Sequence, residues 1–244
     1  MRTMILAAGR GERMRPLTDT CPKPLLVAGG KPLIGHHLER LADAGLRDVV
    51  INHAHLGRML EDALGDGSRF GVSIRYSAEA AALETAGGIR QAQALLGDDV
   101  FLVINGDVFC DFDIGAFANQ ARHLTSGDSL AHLMLVTNPP HHSAGDFTLK
   151  GGRVSEAPEN RLTYAGIGLF HPDLFSGLVI GERAALGPLL RMAMARGRVS
   201  GERHDGYWID VGTPERLAEL DSHLKKSQNP GAQRESKADT RFHG

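Results

Sequence analysis

The segment Met4-Ile5-Leu6-Ala7-Ala8-Gly9-Arg10-Gly11-Glu12-Arg13-Met14-Arg15-Pro16-Leu17-Thr18, with Pro22-Lys23-Pro24-Leu25 close behind, has the residue types of a polyphosphate site. An apolar run leads into small residues and two glycines, so successive backbone N–H groups can turn toward one anion. Arg13 adds a rigid two-pronged donor and Lys23 a mobile point charge. Two other glycine-rich phosphate motifs do not fit. The dinucleotide fingerprint needs glycine where Met14 stands, and the Walker loop needs Lys-Ser/Thr where Glu12-Arg13 stands.

Two carboxylates offer a complementary chemistry. Asn105-Gly106-Asp107 follows the apolar run Val100 to Ile104, which puts Asp107 at the carboxyl end of a strand, where open α/β sheets bind ligands. Asp210 lies in Trp208-Ile209-Asp210-Val211-Gly212-Thr213-Pro214. Mg²⁺ is held by one or two carboxylates together with substrate phosphates, so Asp107 and Asp210 are candidate metal ligands. Taken singly, each is also compatible with a strand-end aspartate that bonds a turn or caps a helix.

The elements that would position these groups alternate through the first half of the chain. Strands are predicted at Met4 to Ala7, Arg47 to Asn52, Val72 to Tyr76 and Val100 to Ile104. Helices are predicted from Leu33 to Ala44, Leu56 to Leu64 and Thr85 to Leu96. That order predicts a doubly wound α/β sheet, mixed but mostly parallel. In the second half, Leu130 to Val136 and Leu162 to Phe170 read as strands, and Gly145 to Leu149 pairs with Arg153 to Ser155 as a hairpin about Gly151-Gly152. Helices at Gly187 to Ala195 and Pro214 to Lys225 bracket a strand at Tyr207 to Val211. Gly166 and Gly168 mark a place where a ligand or another backbone approaches closely. Residues 227–244 are polar and are expected to be disordered.

Composition limits the partners. The chain has 244 residues, 42% of them hydrophobic, which suffices for one substantial core. A net charge of −2 leaves no basic footprint for nucleic acid and no polybasic patch for a membrane surface. The two cysteines, Cys21 and Cys110, are far apart and suit a reducing compartment, so a soluble cytoplasmic protein is expected. The 12 histidines include no group with metal-ligand spacing and are expected to be surface or core residues.

The opening segment resembles the signature of the sugar-1-phosphate nucleotidyltransferases, a Gly-x-Gly-x-Arg loop followed by Pro-Leu-Thr and Pro-Lys-Pro. Gly106-Asp107 and Trp208-x-Asp210-x-Gly212-Thr213 resemble the same family's metal-holding segments. Glu84-Thr85-Ala86-Gly87 resembles its Gly-Thr-Ala-Gly turn, with Glu84 in place of the first glycine. The resemblance runs from Met4 to about Leu224. It is nearest to the short N-acetylmuramate 1-phosphate uridylyltransferase branch, through Asn52-His53-Ala54, Gly65-Asp66-Gly67-Ser68-Arg69-Phe70-Gly71, Asn105-Gly106-Asp107-Val108 and Gly145-Asp146-Phe147.

The resemblance implies a Rossmann-like, GT-A-like domain over residues 1–226, with a nucleotide-binding half (about 1–112) and a smaller sugar-binding β lobe (about 113–226). It implies transfer of a nucleotidyl group from UTP to a sugar 1-phosphate with Mg²⁺, and release of pyrophosphate. Ala8, Gly9, Arg10, Gly11, Glu12, Thr85, Ala86 and Gly87 would hold the nucleotide, the small residues at 86–88 letting a pyrimidine lie against main chain. Arg13 would stabilise the leaving pyrophosphate, Lys23 the α-phosphate, and Asp107 and Asp210 the metal. Asn105, Asp146 and Gly166 would meet the sugar. The family's Glu-Lys-Pro segment, which grips sugar phosphate in many relatives, is absent, and its region reads Ala157-Pro158-Glu159-Asn160. Two readings stay open: another nucleotide and sugar pair, such as GTP with mannose 1-phosphate or dTTP with glucose 1-phosphate, and a catalytically silent regulatory subunit. A monomer is compatible with the sequence.

Overall fold

The computed structural model describes residues 1–125 and 127–228. The chain opens with β1 (Thr3–Leu6), passes through the glycine-rich loop, and forms the short antiparallel pair β2 (Val27–Ala28) and β3 (Lys31–Pro32). The sequence then alternates as expected through α1 (Leu33–Asp43), β4 (Asp48–His53), α2 (Gly57–Leu64), β5 (Ser73–Ala78), α3 (Glu84–Gln91), α4 (Gln93–Leu96) and β6 (Phe101–Asn105). α3 and α4 divide what the sequence predicts as one helix. The Ala92 amide bonds the carbonyls of both Gly88 and Arg90, which tightens the turn before Leu96 enters the core.

The second half contains β7 (Val108–Cys110), α5 (Ile114–Asn119), α6 (Ala121–Thr125), β8 (Ala131–Val136), β9 (Phe147–Lys150), β10 (Arg153–Ser155) and β11 (Arg161–Phe170). It ends with α7 (Leu186–Ala195), β12 (Val199–His204), β13 (Trp208–Asp210) and α8 (Pro214–Gln228). β7, β12, α5 and α6 are not legible in the sequence. β12 reads Val-Ser-Gly-Glu-Arg-His, too polar to stand out as a strand.

One sheet in the order β5-β4-β1-β6-β11-β8-β12-β10-β9 carries the fold. β5, β4, β1 and β6 are mutually parallel. β11 then enters antiparallel between β6 and β8, and β12 runs parallel to β8. The β9–β10 hairpin closes the far edge, and β9 also pairs with the start of β11, so the predicted β lobe is continuous with the main sheet. Side chains alternate between two cores as the pleat requires: Ile5, Leu102 and Ile104 face one layer, and Met4, Phe101 and Val103 the other.

A third cluster, Met14, Leu26, Ala28, Leu33, Ile209, Val211 and Leu220, ties the opening loop to β13 and α8. α8 runs through Gln228, two residues beyond the expected boundary, and Gln228 Nε2 donates to Gly29 O at 3.3 Å. The rest of the expected disordered tail lies outside the described residues. No helix among the described residues is long and apolar enough to cross a membrane.

Beneath β7, His37 is buried and kept neutral: burial, then the Arg40 guanidinium, lower it from 6.5 to about 4 against the opposing pull of a Val108 main-chain hydrogen bond. The sign follows from linkage. Above pH 6.5 both folded and unfolded chains carry a neutral imidazole, whereas between 6.5 and about 4 only the unfolded chain takes the proton. His37 is therefore expected to cost the fold about 1.4 kcal/mol per pH unit as pH falls through that window. Denaturant melts at successive pH values check this. His37→Gln should show a shallower acid limb, and an unchanged limb would count against the assignment.

Candidate active site

The carboxyl ends of β1, β4 and β6 open onto a cavity of about 310 Å³ whose walls include Ala8, Gly9, Asn52, Thr85, Asn105 and Asp107. A Cβ added at Gly9 would meet nothing within 4 Å, so the loop main chain there faces open space. Lys23 is buried at 9% exposure and its Nζ lies 2.5 Å from Asp107 Oδ2. Arg10, Gly11 and Glu12, expected on the nucleotide, do not line this cavity. The chain turns away in the short helical turn Glu12–Met14, and Arg10 pairs with Glu12 at 3.1 Å on the surface.

A second cavity, about 330 Å³, adjoins the first and shares Asn105 and Asp107 with it. Arg13, His141, His142, Gly166 and Asp210 also line it. β13 pairs antiparallel with β7 so that Asp210 stands opposite Val108, and the Val211 amide donates to Asp107 O at 2.7 Å. This small sheet is what brings together two carboxylates separated by a hundred residues. The Trp208 indole donates to Ala165 O at 3.0 Å and fixes β13 against β11.

Both carboxylates already engage cations. Asp210 accepts from Arg216 Nη1 at 2.7 and 2.8 Å and lies 2.9 Å from His141 Nε2. Arg13 has no acidic partner among the described residues, which leaves its guanidinium for a ligand. The hard oxygen donors of Asp107 and Asp210, lining one cavity beside a phosphate-type loop, fit a hard divalent cation.

Asn105 and Gly166 meet directly. Gly166 lies at φ +73°, and a Cβ there would come 2.6 Å from Asn105 Nδ2. Gly166 thus admits the Asn105 side chain, at the irregular stretch of β11 between Tyr164 and Gly168. Gly166→Ala is expected to displace Asn105 and, with the left-handed backbone, to cost about 1–3 kcal/mol. Thermal melts and the KM for the sugar 1-phosphate that the resemblance implies should both worsen, and an unchanged KM would remove Asn105 from the expected sugar contacts. Asp146, also expected on the sugar, does not line either cavity. It accepts from the Tyr164 amide at 2.8 Å and lies 2.9 Å from His142 Nε2, so it holds a lining residue in place.

The expected pyrimidine platform needs correction as well. Ala86 and Gly87 are buried, and the Gly87 amide donates to Ala184 O at 3.0 Å. A Cβ at Gly87 would lie 2.5 Å from Glu182 O, so smallness here makes room for the 182–184 main chain and not for a base. Thr85 and Glu84 supply the cavity wall instead, with Arg183 paired to Glu84 at 2.6 Å. Glu84 has φ 60°, the left-handed conformation that glycine adopts freely.

A buried network that the sequence reading missed holds this wall. Asn52 Oδ1 accepts from the Ala7 amide at 2.9 Å, Asn52 Nδ2 donates to Glu79 Oε1 at 2.7 Å, and Glu79 Oε2 accepts from the Leu83 amide at 2.8 Å. The available signal was a polar pair, Asn52-His53, ending an apolar strand. His141, His142 and Arg216 were likewise missed as cleft residues. Among the described residues the histidines also produce one cluster the spacing did not show: His204 Nε2 lies 2.7 Å from Asp111 Oδ1 beside Cys110. Burial pushes that thiol up to about 12, which opposes the thiolate a soft metal would need.

A family model described as Nucleotidyl transferase matches residues 2–227. The chain belongs to the nucleotidyl transferase family. A curated N-acetylmuramate alpha-1-phosphate uridylyltransferase from Neisseria meningitidis serogroup B is 57% identical over 224 residues, covering 90% of this chain and 96% of its own. A mannose-1-phosphate guanyltransferase from Aspergillus oryzae is 31% identical over 88% of the chain, which spans 61% of that longer protein. Among solved structures, a Bacillus anthracis protein crystallised with sucrose superposes with a TM-score of 0.81 at 24% identity, covering 92% of this chain and 95% of that one. That likeness is one of fold. The two cavities of this nucleotidyl transferase meet at Asn105 and Asp107.

Proposed function

We propose that this nucleotidyltransferase joins UTP to N-acetylmuramate 1-phosphate, giving UDP-N-acetylmuramate and pyrophosphate in the cytoplasmic reuse of cell-wall sugar. The observation that carries the reading is the meeting of two cavities at Asn105 and Asp107, one beside the phosphate-type loop and one beside Arg13, His141 and His142. The 57% identity to a uridylyltransferase of N-acetylmuramate 1-phosphate supports the choice of substrates.

In this reading Ala8 and Gly9 present main chain to the triphosphate in the first cavity, with the nucleotide-binding half of the domain around it. Lys23, already oriented toward Asp107, holds the α-phosphate, and Arg13 neutralises charge that builds on the departing pyrophosphate. Asn105 orients the acceptor where the cavities join. Asp107 and Asp210 would hold Mg²⁺, which supplies charge neutralisation and alignment of the reacting phosphates when bound. The sugar phosphate is itself an anionic nucleophile near neutral pH, so the chain's task is to position and neutralise; no general base is needed. His141 and His142 also offer N–H partners for the lactyl carboxylate that distinguishes N-acetylmuramate.

Pyrophosphate release tests the reading, with UTP, GTP, dTTP and ATP each offered against N-acetylmuramate, N-acetylglucosamine, glucose and mannose 1-phosphates, with and without Mg²⁺. Metal-dependent release with UTP is expected. Silence with every pair would favour a regulatory role, and release led by GTP with mannose 1-phosphate would replace the substrate assignment.

A further inference from the structure

Arg216, on the first turn of α8, is not an ordinary surface charge. Its side chain is only 13% exposed, and Nη1 bonds both oxygens of Asp210 at 2.7 and 2.8 Å. Nη2 reaches over Gly212, where a Cβ would stand 2.2 Å from it and 3.0 Å from Arg13 Nη2. Gly212 thus makes room for two guanidinium groups side by side. Between them they have one carboxylate, and that carboxylate is a candidate metal ligand. Like charges brought this close repel unless an anion joins them, and the repulsion grows if Asp210 is committed to a cation.

The stretch where many relatives carry a phosphate-gripping lysine supplies no replacement. Thr148 Oγ1 lies within hydrogen-bond distance of Ala157 O and Glu159 O, at 2.8 and 2.6 Å, and Arg161 donates to Ala157 O and Glu156 O at 3.0 Å each. That loop is bonded to itself, and Arg161 is spent on it. Arg216 brings a second planar fork beside Arg13 over Gly212.

We propose that Arg216 binds the acceptor's phosphate and is kept on Asp210 until a divalent cation takes that carboxylate. The acceptor half of this inference rests on the proposed function; the exchange at Asp210 does not. The exchange gives metal and acceptor a shared dependence: the cation that occupies Asp210 releases the guanidinium that the incoming phosphate needs. His141 Nε2 lies 2.9 Å from the same carboxylate and 2.5 Å from Arg216 Nη1, so it stands within the same exchange.

Two measurements on Arg216→Met and Arg216→Lys separate the halves. Binding of Mn²⁺ alone to the substrate-free protein, followed by electron paramagnetic resonance, should tighten severalfold in Arg216→Met because its competitor is gone. Unchanged or weaker Mn²⁺ binding in a folded variant would overturn the exchange. In steady state, the KM for N-acetylmuramate 1-phosphate should rise roughly tenfold or more in Arg216→Met with the KM for UTP within about twofold, and Arg216→Lys should recover part of the loss. An equal loss for both substrates would overturn the acceptor role and leave Arg216 as a prop for Asp210. Failure of the unaltered protein to use any sugar 1-phosphate would overturn the functional reading, while the Mn²⁺ comparison would still decide the exchange.

Discussion

Asp107→Asn is expected to lower turnover by about a hundredfold or more, or ~3 kcal/mol of transition-state stabilisation, while the protein still folds. Asp107 is the residue common to both cavities that also carries charge, and its Oδ2 lies 2.5 Å from the buried Lys23 amine. The amide keeps the shape of the carboxylate and loses the charge that would hold a metal and orient Lys23. Because the Asp107 side chain is 38% exposed, water screens part of that loss, and the stability cost should stay near about 1–2 kcal/mol. Asp210→Asn should show the same separation of turnover from folding. Pyrophosphate release at limiting Mg²⁺, paired with thermal melts, checks both variants, and near-normal turnover in either would remove that carboxylate from the metal site.

Lys23→Met is expected to reduce kcat/KM for UTP by about 10²–10³, a loss of roughly 3–4 kcal/mol. Methionine keeps an unbranched apolar stem where Lys23 packs, with Gly11 close enough that an added Cβ would lie 3.4 Å from the lysine stem. The change therefore isolates the charge. Lys23→Arg should recover little, since a planar fork with fixed directions is a poor substitute for a point charge in a buried slot. A loss confined to the acceptor's KM would place Lys23 in the second cavity and not on the nucleotide.

The parallel half of the sheet was legible because β1, β4 and β6 are short apolar runs buried on both faces and the edge strand β5 alternates, with helical periodicity between them. Asp107 was legible for the same reason, since the end of β6 is marked by Asn105-Gly106. What escaped detection depends on tertiary approach. The small residues Ala86 and Gly87 look alike in sequence whether they admit a base or, as here, the 182–184 main chain. The Asn52–Glu79 pair spans two segments with no shared pattern until β5 pairs in register with β4. Arg216 resembles any charge on a helix's first turn until the third hydrophobic cluster sets α8 against β13 and turns the guanidinium onto Asp210.

The most direct measurement is the ratio of kcat/KM for N-acetylmuramate 1-phosphate to that for N-acetylglucosamine 1-phosphate, with UTP and Mg²⁺ saturating. The two acceptors differ by the lactyl ether and its carboxylate, so the ratio reports the interaction of that carboxylate with His141 and His142 at the wall of the second cavity. A charge-assisted contact worth about 1.5–3 kcal/mol gives a ratio of at least about tenfold in favour of N-acetylmuramate 1-phosphate. A ratio at or below one would contradict the assignment of this cleft to N-acetylmuramate.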